Sequence, residues 1–191
     1  MSLLTATVVT MVTLFQGIDA TGTAVARPIG EAKLNSETGS YFQVFEFVGR
    51  PPHTWEHAKL MAKGYLHEGR EGHLATVTTT AEHYFLVLNF PRMRQVPMWI
   101  GLSATCNETA EVTWLDGRSL AEQTFRGFGP GTLKKVSQTC RARKGTGAVF
   151  PFYYRPDDFG VRWEMGTKST NVTYLMVEFP KPSVDEAGDG R

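Results

Sequence analysis

Cysteine is scarce in this chain. Two among 191 residues are too few for a cysteine-only zinc site or for the disulfide-dense framework of a very small secreted domain. They stand at Cys106 and Cys140, without the C-x-x-C spacing of a redox centre. An excess of charge is missing too. Lys+Arg number 20 and Asp+Glu 19, a balance unlike the strongly basic surface of a dedicated nucleic-acid binder and unlike an acidic disordered chain. No apolar run reaches the roughly 18 residues of a membrane-spanning helix. G-x-S-x-G, P-loop and dinucleotide-binding fingerprints are absent as well.

What is present is globular. A hydrophobic fraction of 41% with 20% charged residues suits one domain of ordinary size with an appendage. The 19 glycines and 10 prolines, beside 12% aromatics, point to a turn-rich fold with more strand than helix. Residues 1–16 (MSLLTATVVTMVTLFQ) are apolar and rich in Thr and Val, yet no Lys or Arg precedes Arg27. The basic start of a signal peptide is therefore missing, and the β-branched residues predict a strand over Thr7 to Phe15, paired through an Asp19–Gly22 turn with Gly22 to Ala26. An uncleaved signal-like anchor is the alternative. Residues 27–40 read as a linker. The division expected is a β-rich extension over 1–39, a domain over 40–180 and a polar tail over 181–191.

Within the domain, Tyr41 to Val48 is a strand, and Thr54 caps a helix over about 55–66 on which Trp55, Ala58, Met61 and Ala62 recur. Gly72 to Val77 is strand-like. Thr79 or Thr80 caps a second helix, with Ala81, Tyr84, Phe85 and Leu88 on one face, ending before Pro91. Trp99–Leu102, Val112–Trp114, Val161–Trp163 and Tyr174–Phe179 are short strands. The glycine-rich stretch 127–147 holds five basic residues and no large apolar run, and reads as a long exposed loop.

These segments come in a telling order: Tyr41-Phe42, Trp55-x-x-Ala58, Gly72-His73-Leu74-Ala75-Thr76-Val77, Trp99-Ile100-Gly101-Leu102, Trp114-Leu115-Asp116-Gly117, Trp163 and Tyr174-Leu175-Met176-Val177-Glu178. All four tryptophans fall in the series. From about residue 40 to 180 the chain resembles a C-type lectin-like domain. The resemblance implies an α+β fold: two helices on antiparallel strands and a long loop region over about 118–162, here joined to the β-rich extension. The Trp99–Leu102 strand would cross the core, with Gly101 admitting a close neighbour. The function implied is noncatalytic recognition of a glycan or protein at the cell surface or outside the cell.

Departures from the family pattern matter equally. Met61 or Ala62, Val177 and Lys168 stand where the usual disulfide cysteines would be, as in divergent, cysteine-poor, non-animal members. Sugar-binding members hold calcium through Glu-Pro-Asn or Gln-Pro-Asp in the long loop and Asn-Asp after a tryptophan. Here Glu164-Met165 follows Trp163, and the loop motif aligns with Gly129-Pro130-Gly131 or with Arg155-Pro156-Asp157. Either register removes oxygen ligands that calcium requires, so no metal and no cofactor are expected. An unorthodox site from Asp157, Asp158 and Glu164 is the alternative; the preferred reading has these acids capping turns and pairing with Arg155 and Arg162.

His53-Thr54-Trp55-Glu56-His57 matches the H-x-x-E-H pattern of one metalloprotease class. Pro51-Pro52 and the capping Thr54 put His53 outside the helix, so the two histidines are expected at the surface, unpaired, and no enzyme is implied. Lys134, Lys135, Arg141, Arg143 and Lys144 form a basic cluster in the long loop. It is either a solvated loop or a patch for an acidic glycan or acidic protein surface; with no aromatic residue between the cations, nucleic acid is disfavoured. Cys106 and Cys140 are either free thiols or one disulfide. Asn107-Glu108-Thr109 and Asn171-Val172-Thr173 are glycosylation sequons, and they lean toward the disulfide and the secretory pathway. A second functional reading is a structural subunit of an extracellular or cell-surface assembly, in which the N-terminal strand pairs with a neighbour.

Overall fold

Tyr41 to Val48 forms a strand with both faces buried: Phe42 and Val44 turn to one side, Phe45 and Phe47 to the other. Such a strand reads as continuous hydrophobicity because neither face meets water. The computed structural model describes residues 25–158 and 160–182. In chain order these form β1 (Val25–Leu34), β2 (Tyr41–Val48), α1 (Trp55–Lys63), β3 (Leu66–His67), β4 (Arg70–Glu71), β5 (His73–Leu74), α2 (Thr80–Asn89), β6 (Met98–Cys106), β7 (Ala110–Trp114), α3 (Thr132–Ala142), β8 (Ala148–Asp157), β9 (Gly160–Met165) and β10 (Tyr174–Phe179). The main sheet runs β1-β2-β10-β6-β8-β9, with β5 on β10 and β7 on β6; β3 and β4 pair separately. Its pairings are antiparallel except β10 with β6.

The sheet separates two cores. On one side α1 lays Trp55, Ala58 and Ala62 against Phe45, Trp99, Leu175 and Val177. On the other, Leu86 of α2 and Val136 of α3 pack with Phe42, Ile100, Trp163 and Met176. Thr54 caps α1 as its sequence predicts, accepting the His57 amide. Two indoles then fix α1 to β6: Trp55 Nε1 donates to the Ile100 carbonyl at 2.7 Å, and Trp99 Nε1 to the His53 carbonyl at 2.9 Å. His53 is accordingly not a surface residue. It is 5% exposed and stacked on Phe47, with its backbone occupied by Trp99 and Val172. His57 is half-buried, its Nδ1 at 2.8 Å from the Pro52 carbonyl.

Three further expectations are corrected. Residues 27–40 are not a linker: most of them lie in β1, which pairs with β2 and places Ala26 in the core. The masking signal was Pro28 and Gly30, both strand-breaking in a central position but tolerated at an edge, where a bulge between Ile29 and Lys33 absorbs them. The second helix starts after Thr79 but is turned differently, with Glu82, Phe85 and Leu86 inward and Ala81, Tyr84 and Leu88 exposed. Its capping box explains the rotation. The Glu82 carboxylate accepts the Thr78 and Thr79 amides at 2.7 and 3.0 Å, which holds that edge of the helix against the sheet. Finally, 127–147 is not a loop throughout, because Thr132–Ala142 is α3, a third helix. Val136 and Cys140, four apart, bury one face while the cations take the others. The expected strand over Thr7 to Phe15 lies outside the described residues, as does the polar segment after Pro182.

Candidate functional site

β8 and β9 form a hairpin that sets Arg155 opposite Arg162 and Tyr153 opposite Glu164. Along it, Arg155 Nη1 donates to Glu164 Oε2 at 2.6 Å, a bond that holds the guanidinium above its usual pKa. The chain before α3 closes over the hairpin. Trp163 donates its amide to the Gly127 carbonyl at 2.6 Å and accepts the Gly129 amide at 3.0 Å. Gly127 fits because its missing side chain leaves room for the Trp163 ring, which a β-carbon would approach to 2.7 Å. Gly131 then turns through the left-handed region, at φ 77, into α3, whose first turn has neither a side-chain cap nor an acid.

Between these pieces lies a cavity of about 350 Å³, with Lys135, Arg155, Asp157, Arg162 and Glu164 among its walls and Gly129 to Thr132 on the helix side. Both possible registers of the loop motif, Gly129-Pro130-Gly131 and Arg155-Pro156-Asp157, therefore meet at one place, together with the residue after Trp163. The wall alternates donors and acceptors: Lys135 and two guanidiniums against two carboxylates. Lys135 Nζ reaches the Met165 carbonyl at 3.4 Å.

The predicted basic cluster does not stay together. Only Lys135 faces the cavity. Lys134 and Arg141, seven apart on α3, project to solvent on one face. Lys144 pairs with Glu108 at 2.9 Å, and Arg143 covers the Phe150 ring at 5.7 Å. Of the acids, Glu164 has the Arg155 partner that the sequence suggests; Asp157 lines the cavity, and Asp158 is exposed outside it. Arg162 and Thr132 enter the wall without having been singled out as binding residues. The β8–β9 register would have found the arginine; the uninterrupted Thr132–Ala142 run, free of Gly and Pro, would have found the helix. Among the described residues, no group of three His, Cys, Asp or Glu side chains is placed to hold a metal ion.

Cys106 and Cys140 are bonded, joining the end of β6 to the last turn of α3 across 34 positions. Gly145 and Gly147 fold back on the same strand end, donating to the Asn107 and Cys106 carbonyls at 2.9 and 3.0 Å. Asn107 Nδ2 donates to Glu111 at 2.9 Å. Asn171 is exposed, and its Oδ1 accepts the His53 amide at 2.9 Å. No helix among the described residues is long and apolar enough to cross a membrane.

No protein-family model matches the chain, and no curated protein matches it in sequence. Solved structures do. The crystal structure of the C-type lectin CEL-I from Cucumaria echinata superposes with a TM-score of 0.53 at 18% identity, covering 78% of this chain and 95% of that one. Rhodocetin gives 0.45 at 19% identity, over 82% and 99% of the two chains. EMS16, an antagonist of the collagen receptor integrin α2β1, gives 0.47 at 14%, over 78% and 97%. The likeness to CEL-I shows the fold: mixed α+β, dominated by an antiparallel sheet, and C-type lectin-like.

Proposed function

We propose that this chain is a noncatalytic recognition module that binds a glycan or an acidic protein surface without calcium, through the cavity between β8, β9 and the start of α3. The observation that carries this reading is the Arg155–Glu164 bond. It puts a guanidinium, part of the chain itself, in the motif position where a sugar-binding relative would offer an oxygen to calcium. A hard divalent ion is repelled from such a position, while hydroxyls and acidic groups of a ligand find donors in Arg155 and Lys135 and acceptors in Asp157 and Glu164. CEL-I, described as a C-type lectin, lends the fold to this reading; the ligand class comes from the charges of the cavity.

The Cys106–Cys140 bond and the two sequons support a place outside the cell or at its surface, with glycans on Asn107 and Asn171. The alternative, a scaffold subunit assembling through its N-terminal strand, is less favoured. Among the described residues the N-terminal edge strand is β1, which carries Pro28, Arg27, Glu31, Lys33 and a bulge, features that discourage edge-to-edge pairing; the strand expected over Thr7 to Phe15 lies outside them. A glycan array run in chelator, beside calorimetric titration with calcium, tests the proposal. Sugar or polyanion binding that survives chelation, lost in Arg155→Met, supports it. Binding that requires calcium overturns it. Silence on both, with self-association seen by light scattering, favours the scaffold.

A further inference from the structure

The first turn of α3 ends at the cavity with its backbone donors unspent. Gly131 enters the helix at φ 77, in the left-handed region, and Thr132 follows as its first residue. Successive amides in such a pair of conformations converge, as those of anion-binding nests do. The Thr132 amide donates to the Gly129 carbonyl at 3.2 Å and the Lys135 amide to the Gly131 carbonyl at 2.9 Å. The amides of Gly131, Leu133 and Lys134 have no acceptor among the described residues. The dipole of this eleven-residue helix favours negative charge at that end, yet no acidic residue stands in the turn to supply it.

A side chain gives a second, independent sign. Thr132 is only 6% exposed, yet its hydroxyl makes no hydrogen bond among the described residues. It lies on the cavity wall beside Gly129, 3.5 Å from where a β-carbon on that glycine would stand. A buried hydroxyl left without a partner is destabilising, and an oxygen of a ligand in the cavity removes that cost. Lys135, on the same wall, has only the long contact to the Met165 carbonyl and no carboxylate partner among the described residues. Opposite them, Glu164 is bonded to Arg155 at 2.6 Å, and Asp157 has a partner of its own. Donors without a partner therefore gather on the helix side, and both carboxylates lie on the hairpin.

We propose that this helix end is an anion subsite for a sulfate or phosphate monoester carried by a sugar. The ester oxygens take the Gly131, Leu133 and Lys134 amides, the Thr132 hydroxyl and Lys135 Nζ, while the sugar hydroxyls donate to Asp157 and Glu164. The inference rests on the cavity being the ligand site and names the chemical class of that ligand. A carboxylate offers two oxygens to these donors, a tetrahedral ester three. The hairpin carboxylates have nothing to offer a bare anion, but they accept hydroxyl protons. A cavity of about 350 Å³ is at the small end of ligand sites and suits one esterified sugar unit.

The test titrates the full chain, labelled with nitrogen-15, in chelator and at constant ionic strength. The probes are glucose 6-sulfate, glucose 6-phosphate, glucuronate, glucose and O-phosphoserine. The two esters should move the amide resonances of Gly131, Leu133 and Lys134 and bind at least about fivefold tighter than glucose or glucuronate; the tighter ester identifies the source of the anion. Thr132→Val and the exposed Lys135→Gln should each weaken ester binding about tenfold, one charge-assisted hydrogen bond, and leave glucose unaffected. Shifts confined to β8 and β9, or ester binding no tighter than that of glucose, overturn the subsite while the cavity keeps its recognition role. Silence at every cavity amide overturns the subsite and the reading beneath it together. Ester binding indifferent to both variants also overturns the subsite. So does an equal response to O-phosphoserine, because the ligand is then a protein.

Discussion

A β-carbon on Gly101 would stand 2.6 Å from the carbonyl oxygen of Leu74. The Trp99–Leu102 stretch therefore runs against the Leu74-Ala75 backbone more closely than any side chain allows, and Gly101 uses the approach to donate its amide to Ala75 at 2.9 Å. Leu115 returns a bond to the Gly101 carbonyl at 2.8 Å. Gly101→Ala is expected to cost about 2 to 3 kcal/mol, as overpacking of a rigid backbone contact does. Denaturant melts measure it; a change within about 0.5 kcal/mol, the scatter of ordinary surface substitutions, would show that the strands part without penalty.

Cys140→Ser should leave the sheet intact and loosen α3. A 34-residue separation corresponds to about 3 to 4 kcal/mol of loop-closure stabilisation, and the loss should be concentrated in the segment that the bond ties down. Hydrogen exchange by mass spectrometry is expected to accelerate over residues 127–150 and to stay slow in β2, β6 and β10. Uniform acceleration would contradict this.

Arg155→Met should separate recognition from stability. The pair with Glu164 is well exposed at its arginine end (58%), so its removal is expected to change stability by less than about 1 kcal/mol. Loss of ligand binding by about tenfold or more, one charge-assisted contact, is the outcome that fits the proposed site. Unchanged binding would place the ligand elsewhere.

Glu178 sets a pH dependence. Burial raises its pKa above the ordinary value of 4.5, against the pull of His73 and of the Thr76 amide, which it accepts at 3.0 Å. The folded state holds this proton more tightly than the unfolded chain. Its contribution is therefore fully present below the unfolded pKa and is lost as pH rises through the folded one. Glu178→Gln keeps an acceptor for Thr76 without the charge, so it should melt higher than the parent at pH 7 and converge with it near pH 4. A variant that melts lower at pH 7 would mean that the charge is needed there.

Much of the fold is legible in the sequence because its strongest signals are local. Trp55 with Ala58 and Ala62, the Thr54 and Thr79 caps, and the Trp99–Leu102 run each announce their element within a few residues. α3 is harder to see because glycines on both sides and five cations within eleven residues resemble a loop, and only Val136 and Cys140 mark its inward face. The rotation of α2 depends on Glu82 being drawn inward, which hydrophobic spacing alone counts as an outward position. β1 hides behind Pro28 and Gly30. The cavity is the least legible feature, since Lys135, Asp157 and Glu164 meet only through the β8–β9 register and the closure of Gly129 onto Trp163. Arg143 and Lys144, close to them in sequence, end at the far side of an eleven-residue helix, about 16 Å long.

The sulfur bond and the cavity occupy opposite ends of α3. The helix is seated at both: Cys140 ties its last turn to β6, while buried Thr132 and Val136 and the Gly129–Trp163 bond hold its first turns against the hairpin and the core. Reduction would release the first of these ties without touching any residue of the cavity wall, so the turn around Cys140 is expected to fray while the turn around Thr132 stays in place. The two ends of one helix thereby answer to different chemistry, the far end to the redox state of a sulfur pair and the near end to packing alone.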